Sequence, residues 1–356
     1  MGCSSSAAAK DAADALPASP RADGEADPAA DGDDTQMGGG AGSKDAEKPK
    51  QMPRSPRNRG MTAITADAAR SVVEACKASP EQAQFFETWL NFIFEQAMPK
   101  VEPGGRMLLV STDMQYLELR ISGNARLMLR LASRFVEACG VPDTRLVSRL
   151  QEMVSELQVP AVGLWCRLKR MGSTSPAVDA GFLLESELDW MVADLLMPPA
   201  EDQEILRDYA VREQHKPCAY GSSLLPVEPE SMLVLDMGGG APGRPPERAL
   251  LSGLLVFKCL GFSRPEDAVV RTLSSSRPVG CSVAAALGPK GLTRLSLRLA
   301  EPQGKEWVPQ DLANCMELRY ESDTIEAVRK AVGGEATILD YAADARGYLV
   351  VLGWKC

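Results

Sequence analysis

The chain has 356 residues, with 39 Lys and Arg against 48 Asp and Glu, for a net charge of -9. A balance this acidic argues against nucleic acid as the main partner. Aromatic residues make up only 5% of the chain, no run is long and apolar enough to span a bilayer, and the start lacks the apolar centre of a secretory signal.

The first 60 or so residues carry almost no large apolar side chain and are rich in Ala, Asp, Gly, Ser and Pro. Such a segment buries too little surface to offset its chain entropy, which predicts a disordered tail over residues 1–60 and a single α+β domain over residues 61–356. The tail opens Met1-Gly2-Cys3-Ser4-Ser5-Ser6, the pattern for N-myristoylation at Gly2 once Met1 is removed, and Cys3 beside it suits palmitoylation. One myristoyl chain holds a protein at a membrane only marginally, and a second acyl chain makes the attachment stable. Lys48, Lys50, Arg54, Arg57 and Arg59 add attraction to an anionic leaflet, which phosphorylation at Ser55-Pro56 would weaken. The expectation is a lipid-anchored protein at the cytoplasmic face of a membrane.

Beyond the tail, runs of β-type residues occur in pairs. Met107 to Ser111 pairs with Tyr116 to Ile121, Val162 to Arg170 with Ala177 to Leu184, Met232 to Met237 with Ala249 to Phe257, Cys281 to Leu287 with Thr293 to Leu299, and Ala336 to Tyr341 with Gly347 to Lys355. Ten strands in five hairpins predict a closed antiparallel barrel or a large meander rather than a parallel sheet. Between the pairs lie stretches of helical period: Glu81 to Met98, a helix with Leu127, Leu131 and Phe135 on one side, and another with Leu146, Leu150, Met153, Val154 and Leu157 behind Asp143. Further helices are predicted over Ser186 to Leu196, where Ser186 and Asp189 form a start resembling a capping box, and over Asp202 to Gln214, Pro265 to Ser275, Val308 to Met316 and Asp323 to Val332.

Alternation along the strands separates two faces. Leu117, Leu119 and Ile121 alternate with Tyr116, Glu118 and Arg120; Leu164, Cys166 and Leu168 with Trp165, Arg167 and Lys169; Leu295, Leu297 and Leu299 with Arg294, Ser296 and Arg298. If helices cover the apolar face, the polar and largely cationic face lines the barrel. Ten strands enclose more room than side chains alone fill, so a wet, positively charged, ligand-sized lumen is expected. The alternative is an open sheet whose Arg and Lys residues only face solvent.

Nine cysteines occur without a CxxC pair or a Cys/His cluster, which indicates buried thiols in a reducing compartment and neither zinc nor disulfides. The run Leu233-Val234-Leu235-Asp236-Met237-Gly238-Gly239-Gly240 is similar to a phosphate loop, but Pro242, Pro245 and Pro246 after it suit a long hairpin turn better. His215, the single histidine, is expected at an exposed helix end.

The order of elements over about residues 75 to 356 resembles the ABBA-type, or PT-barrel, aromatic prenyltransferases. Leu119-Arg120-Ile121-Ser122 resembles the end of that family's first hairpin, Thr293-Arg294-Leu295-Ser296-Leu297 the strand carrying a diphosphate-binding arginine, and Tyr348 to Trp354 the closing strand. The resemblance implies a ten-stranded antiparallel barrel of five hairpins surrounded by helices in αββα repeats. It also implies transfer of a prenyl group from an isoprenoid diphosphate to a small aromatic acceptor. Cations would hold the leaving diphosphate and aromatic rings would shield the allylic cation. By this match Arg294 binds phosphate, and Arg120 falls where metal-independent members place an arginine, so neither a metal nor another cofactor is expected. Arg167, Lys169, Arg298 and Lys355 join the substrate-binding set by strand alternation alone. The alternative on the same barrel is a non-catalytic protein that binds a lipid or other anion, or acts as a scaffold.

Overall fold

The computed structural model describes residues 64–97, 105–138, 145–225, 230–238, 245–263, 266–301 and 309–355. The expected acylation sites Gly2 and Cys3, the basic cluster with Ser55, and the rest of the predicted tail lie outside the described residues.

The elements repeat five times as two helices followed by a hairpin. α1 (Ala66–Ala75) and α2 (Pro80–Ala97) precede β1 (Arg106–Ser111) and β2 (Tyr116–Asn124). α3 (Ala125–Ala138) and α4 (Arg145–Glu156) precede β3 (Ala161–Lys169) and β4 (Ala177–Glu185). Then come α5 (Trp190–Leu196), α6 (Glu201–Arg212), β5 (Lys216–Ser223) and β6 (Ser231–Asp236), followed by α7 (Pro246–Cys259), α8 (Asp267–Ser275), β7 (Gly280–Gly288) and β8 (Gly291–Ala300). The last unit is α9 (Pro309–Cys315), α10 (Ser322–Val332), β9 (Ile338–Asp344) and β10 (Gly347–Lys355). Every strand pairs antiparallel with its sequence neighbours, and β10 returns to β1 through Met107–Lys355 to Ser111–Val351, so the barrel closes. Closure removes the open-sheet alternative and leaves no strand edge unpaired.

Four of the five hairpins lie where the residue pattern puts them; the third does not. β6 pairs with β5, through Tyr220–Leu233 and Gly221–Met232, and the segment Ala249 to Phe257 lies in α7. Pro246 in its first turn and the buried Leu250, Leu254 and Phe257 have helical spacing, and Gly253 lets the helix approach β8 so closely that a Cβ there would fall 2.4 Å from Leu297 Cδ1. Helix α1 has no counterpart among the expected elements; the Thr65 hydroxyl accepts from Ala68 N to cap its start. At α5 Asp189 is the N-cap but makes no side-chain capping bond, so the expected capping box is absent there.

The faces separate as expected. Leu117, Leu119, Ile121, Leu164, Cys166, Leu168, Leu295, Leu297 and Leu299 are buried beneath the helices. Phe135 of α3 receives Trp89 of α2 edge-on at 5.0 Å in this layer. Truncating any one of these buried Leu side chains to Ala costs about 2–5 kcal/mol, so the helical sleeve keeps the barrel round as well as covered.

His215 is not at an exposed helix end. It is 4% exposed, its Nε2 lies 2.8 Å from Ser252 Oγ, and Tyr209 of α6 donates to Ser252 O at 2.8 Å. This polar cluster ties α6 and the start of β5 to α7. Among the described cysteines, burial pushes the Cys76 and Cys281 thiols up to about 12 and Cys218 up to about 11, while Cys259 is exposed.

Candidate functional site

The barrel encloses a cavity of about 760 Å³, reached from the end where the hairpins turn. Tyr116, Glu118, Arg120, Arg167, Lys169, Arg294, Ser296 and Arg298 all line it, so the alternation read from sequence does point inward. Five of the six expected binding residues thus share one space. Lys355 does not: it lies at the far end of β10 and pairs with Glu301 at 3.1 Å, because the inner face there is closed by Leu109, Ile338 and Val351.

The cations on the β2–β4 wall are already matched. Glu118 is 1% exposed and accepts from Arg120 Nε at 3.0 Å and Nη2 at 2.7 Å on one oxygen, and from Arg167 Nε at 2.6 Å and the Tyr116 hydroxyl at 2.5 Å on the other. All its acceptor positions are occupied. Burial works against this charge, yet Arg167 and Arg120 hold the Glu118 carboxyl well below the usual range; burial likewise opposes the charge on Arg167, and Glu118 secures it. Arg167 Nη1 also reaches Glu230 Oε2 at 3.1 Å, and Lys169 Nζ reaches the same oxygen at 3.4 Å.

Asp179 is the exception among these carboxylates. Among the described residues its Oδ2 is buried without a hydrogen bond, with Arg167 Nη1 at 3.6 Å and Lys169 Nζ at 3.8 Å, and burial raises its pKa despite those two cations.

On the opposite wall Arg298 is held by Asp340 through two bonds of 2.8 and 2.7 Å. Arg294 differs. Its register partner Asp344 turns to Arg346 at 2.7 Å, and no carboxylate among the described residues lies within salt-bridge range of Arg294. Its contacts are Ser296 Oγ at 3.1 Å and the face of the Tyr116 ring at 4.3 Å. Lys290, Thr293 and Arg346 lie beside it toward the mouth. Among the described residues the cationic lumen expected from alternation is therefore mostly a set of internal ion pairs, with Arg294 outside salt-bridge range of a carboxylate and further cations at the rim.

A third side of the lumen, from β4 to β7, is apolar: Leu183, Ala219, Met232, Val234, Ala284 and Ala286 line it. Trp165 packs against this side with the Arg167 guanidinium 4.2 Å above its ring. Tyr116 is the aromatic residue among those lining the cavity. Alternation placed Glu118 on the inner face without giving it a role and passed over Asp179, Glu230 and Asp340, whose importance appears only when the strands are set side by side. Among the described residues no group of three or more His, Cys, Asp or Glu side chains is placed to hold a metal ion.

No family model matches the sequence, nor does any curated protein sequence. Solved structures do match the fold. A 6-dimethylallyltryptophan synthase from Micromonospora olivasterospora, in complex with DMASPP and Trp, superposes with a TM-score of 0.54 at 13% identity, covering 83% of this chain and 98% of that one. AnaPT from Neosartorya fischeri gives 0.54 at 9%, and the NotF prenyltransferase 0.53 at 11%, each covering 82% of this chain and 92% of the other. Together with the closed ten-stranded barrel, these similarities establish the PT-barrel fold of the ABBA-type prenyltransferases.

Proposed function

We propose that the lumen takes up an isoprenoid diphosphate and a small aromatic acceptor and transfers the prenyl group between them. The observation that carries this reading is Arg294: a cation on the wall of a cavity of about 760 Å³, turned toward Tyr116 and without a carboxylate in salt-bridge range among the described residues, in a fold shared with prenyltransferases. The diphosphate lies against Arg294 with Lys290 and Arg346 at the rim, where charge-assisted bonds stabilise it as it leaves. The allylic C–O bond breaks with its electron pair going to the diphosphate, a ring carbon of the acceptor bonds to the prenyl carbon, and the ring proton passes to a lumen base. Asp179, buried behind Arg167 and Lys169 rather than on the cavity lining, has a carboxylate oxygen without a hydrogen bond among the described residues and is the candidate for that proton, whereas Glu118 is saturated. Arg120 and Arg167 act by shaping the site through Glu118, and the Tyr116 ring faces the developing cation.

The myristoylation and palmitoylation pattern at Gly2 and Cys3 supports residence at a membrane, close to a lipid-borne donor or product. Gly2→Ala is expected to release the protein into the soluble fraction, and Cys3→Ser to leave weak, reversible attachment; firm retention of Gly2→Ala would refute the anchor.

A second reading is non-catalytic binding of the same anionic amphiphile, and what favours it is that Tyr116 is the single aromatic residue among the described residues lining the cavity. Calorimetric titration with dimethylallyl and geranyl diphosphate, followed by product analysis with phenols and indoles, separates the two. Product supports transfer, binding without product supports the second reading, and no binding refutes both.

A further inference from the structure

Glycines in β4 and β5 make room inside the barrel for one side chain. A Cβ on Gly181 would fall 2.1 Å from Trp165 Cζ2, and one on Gly221 would fall 2.9 Å from Cη2, closer than packed carbons come. The indole therefore occupies the space that two inward-facing side chains would otherwise fill, and it is 1% exposed. Its packing partners, Leu183, Ala219, Met232, Val234 and Ala284, are the residues that line the apolar side of the cavity. Among the described residues its Nε1 makes no hydrogen bond, so apart from the Arg167 guanidinium over its ring the indole serves here as volume.

We propose that Trp165 is the floor of the apolar side and sets the length of hydrocarbon chain that the lumen accepts, a specificity-determining role that rests on the function proposed above. With the anionic head near Arg294, the chain runs along Met232, Val234 and Ala284, and the indole packed behind these lining residues closes off further space. Around it Gly181, Gly221, Ala219 and Ala284 are small and Leu183, Met232 and Val234 are smaller than an indole, so Trp165 is the largest removable block on that path, and each additional buried carbon of a ligand adds hydrophobic contact only where space exists.

The test is a titration series with dimethylallyl, geranyl, farnesyl and geranylgeranyl diphosphates on the full chain. Trp165→Ala is expected to move the preference toward longer chains, raising the affinity ratio of a longer to a shorter ligand by about tenfold or more. Trp165→Phe should move it in the same direction by less, and Ala284→Leu, which fills the path, should move it the other way. Cooperative thermal unfolding identifies variants that fold; if Trp165→Ala does not, the Phe and Leu variants still carry opposite expectations. Binding by the parent with the same order of lengths in every folded variant would overturn the role of Trp165 alone. No binding by the parent at any length would overturn the proposed function, and the length gauge with it.

Discussion

Two walls of the same lumen use arginine differently. On the β2–β4 side Arg120, Arg167 and Lys169 face Glu118, Asp179 and Glu230, and the charges cancel within the wall. On the β8–β9 side Arg298 is paired with Asp340, while among the described residues Arg294 has a hydroxyl, an aromatic face and no carboxylate in salt-bridge range. The first wall resembles a structural core built of ions, with Glu118 as the member on which two arginines depend. The second leaves a charge available to a ligand. An inward arginine is thus not in itself a binding residue; the carboxylate across the strand boundary decides what it is free to do.

The comparison breaks most visibly at Glu118. Glu118→Gln removes the charge that both Arg120 and Arg167 answer and leaves two buried guanidiniums short of a partner. Removing one member of a buried ion pair typically costs about 3–5 kcal/mol, and denaturant unfolding should show a loss in that range. Arg120→Met should also destabilise, since it strips two hydrogen bonds from Glu118. A stability within about 0.5 kcal/mol of the parent for Glu118→Gln would show that the wall is not held by these pairs.

Arg294→Met sharpens the contrast from the other side. Hydrogen bonds to charged groups contribute about 1.5–3 kcal/mol each, so this substitution should weaken prenyl diphosphate binding by about tenfold or more. Stability should change little, because the buried Glu230, which the Arg294 charge also favours, keeps Lys169 and Arg167. Calorimetry and thermal unfolding on the same preparation check both halves; a variant that loses stability but retains affinity would reverse the assignment of the two walls.

What the sequence made legible follows from the range of the signals involved. Period-two alternation is local, so Leu117, Leu119 and Ile121 against Tyr116, Glu118 and Arg120 identified the inner face of β2 without knowledge of its neighbours. The third hairpin was hidden because β5 carries Pro217, Gly221, Ser222 and Ser223, residue types depleted in strands. The barrel accommodates them for tertiary reasons: a register shift lies between Pro217 and Ala219, and Gly221 admits the Trp165 indole. The Leu- and Val-rich run in α7 meanwhile has the composition of a strand and the spacing of a helix. Charge compensation was least accessible, since Arg167 meets Glu118 across 49 residues and Glu230 across 63. Only the antiparallel register brings them level, and one strand read alone shows the cation without its partner.

Asp179 offers the smallest and most discriminating test of the ion-paired wall, because its proton affinity moves opposite to that of Glu118. The Glu118 carboxyl is held below its ordinary range in the folded protein, so its stabilisation is present above the ordinary Glu pKa and is lost as pH falls toward the folded value. Burial raises the Asp179 carboxyl, so the folded state binds a proton there more tightly than the unfolded state does. Its contribution to the pH dependence of stability is therefore a decline as pH rises from the ordinary Asp pKa, about 3.9, through the raised folded value. Asp179→Asn removes the titration while retaining the shape, and Arg167 and Lys169 still have Glu230, with Glu118 also on Arg167. At neutral pH the variant should stay within about 1 kcal/mol of the parent. Relative to the parent it should gain stability as pH rises through that window, in denaturant titrations at a series of pH values. A loss of several kcal/mol at neutral pH would make Asp179 a required counter-charge like Glu118, and identical pH slopes in the two proteins would show that Asp179 titrates alike folded and unfolded.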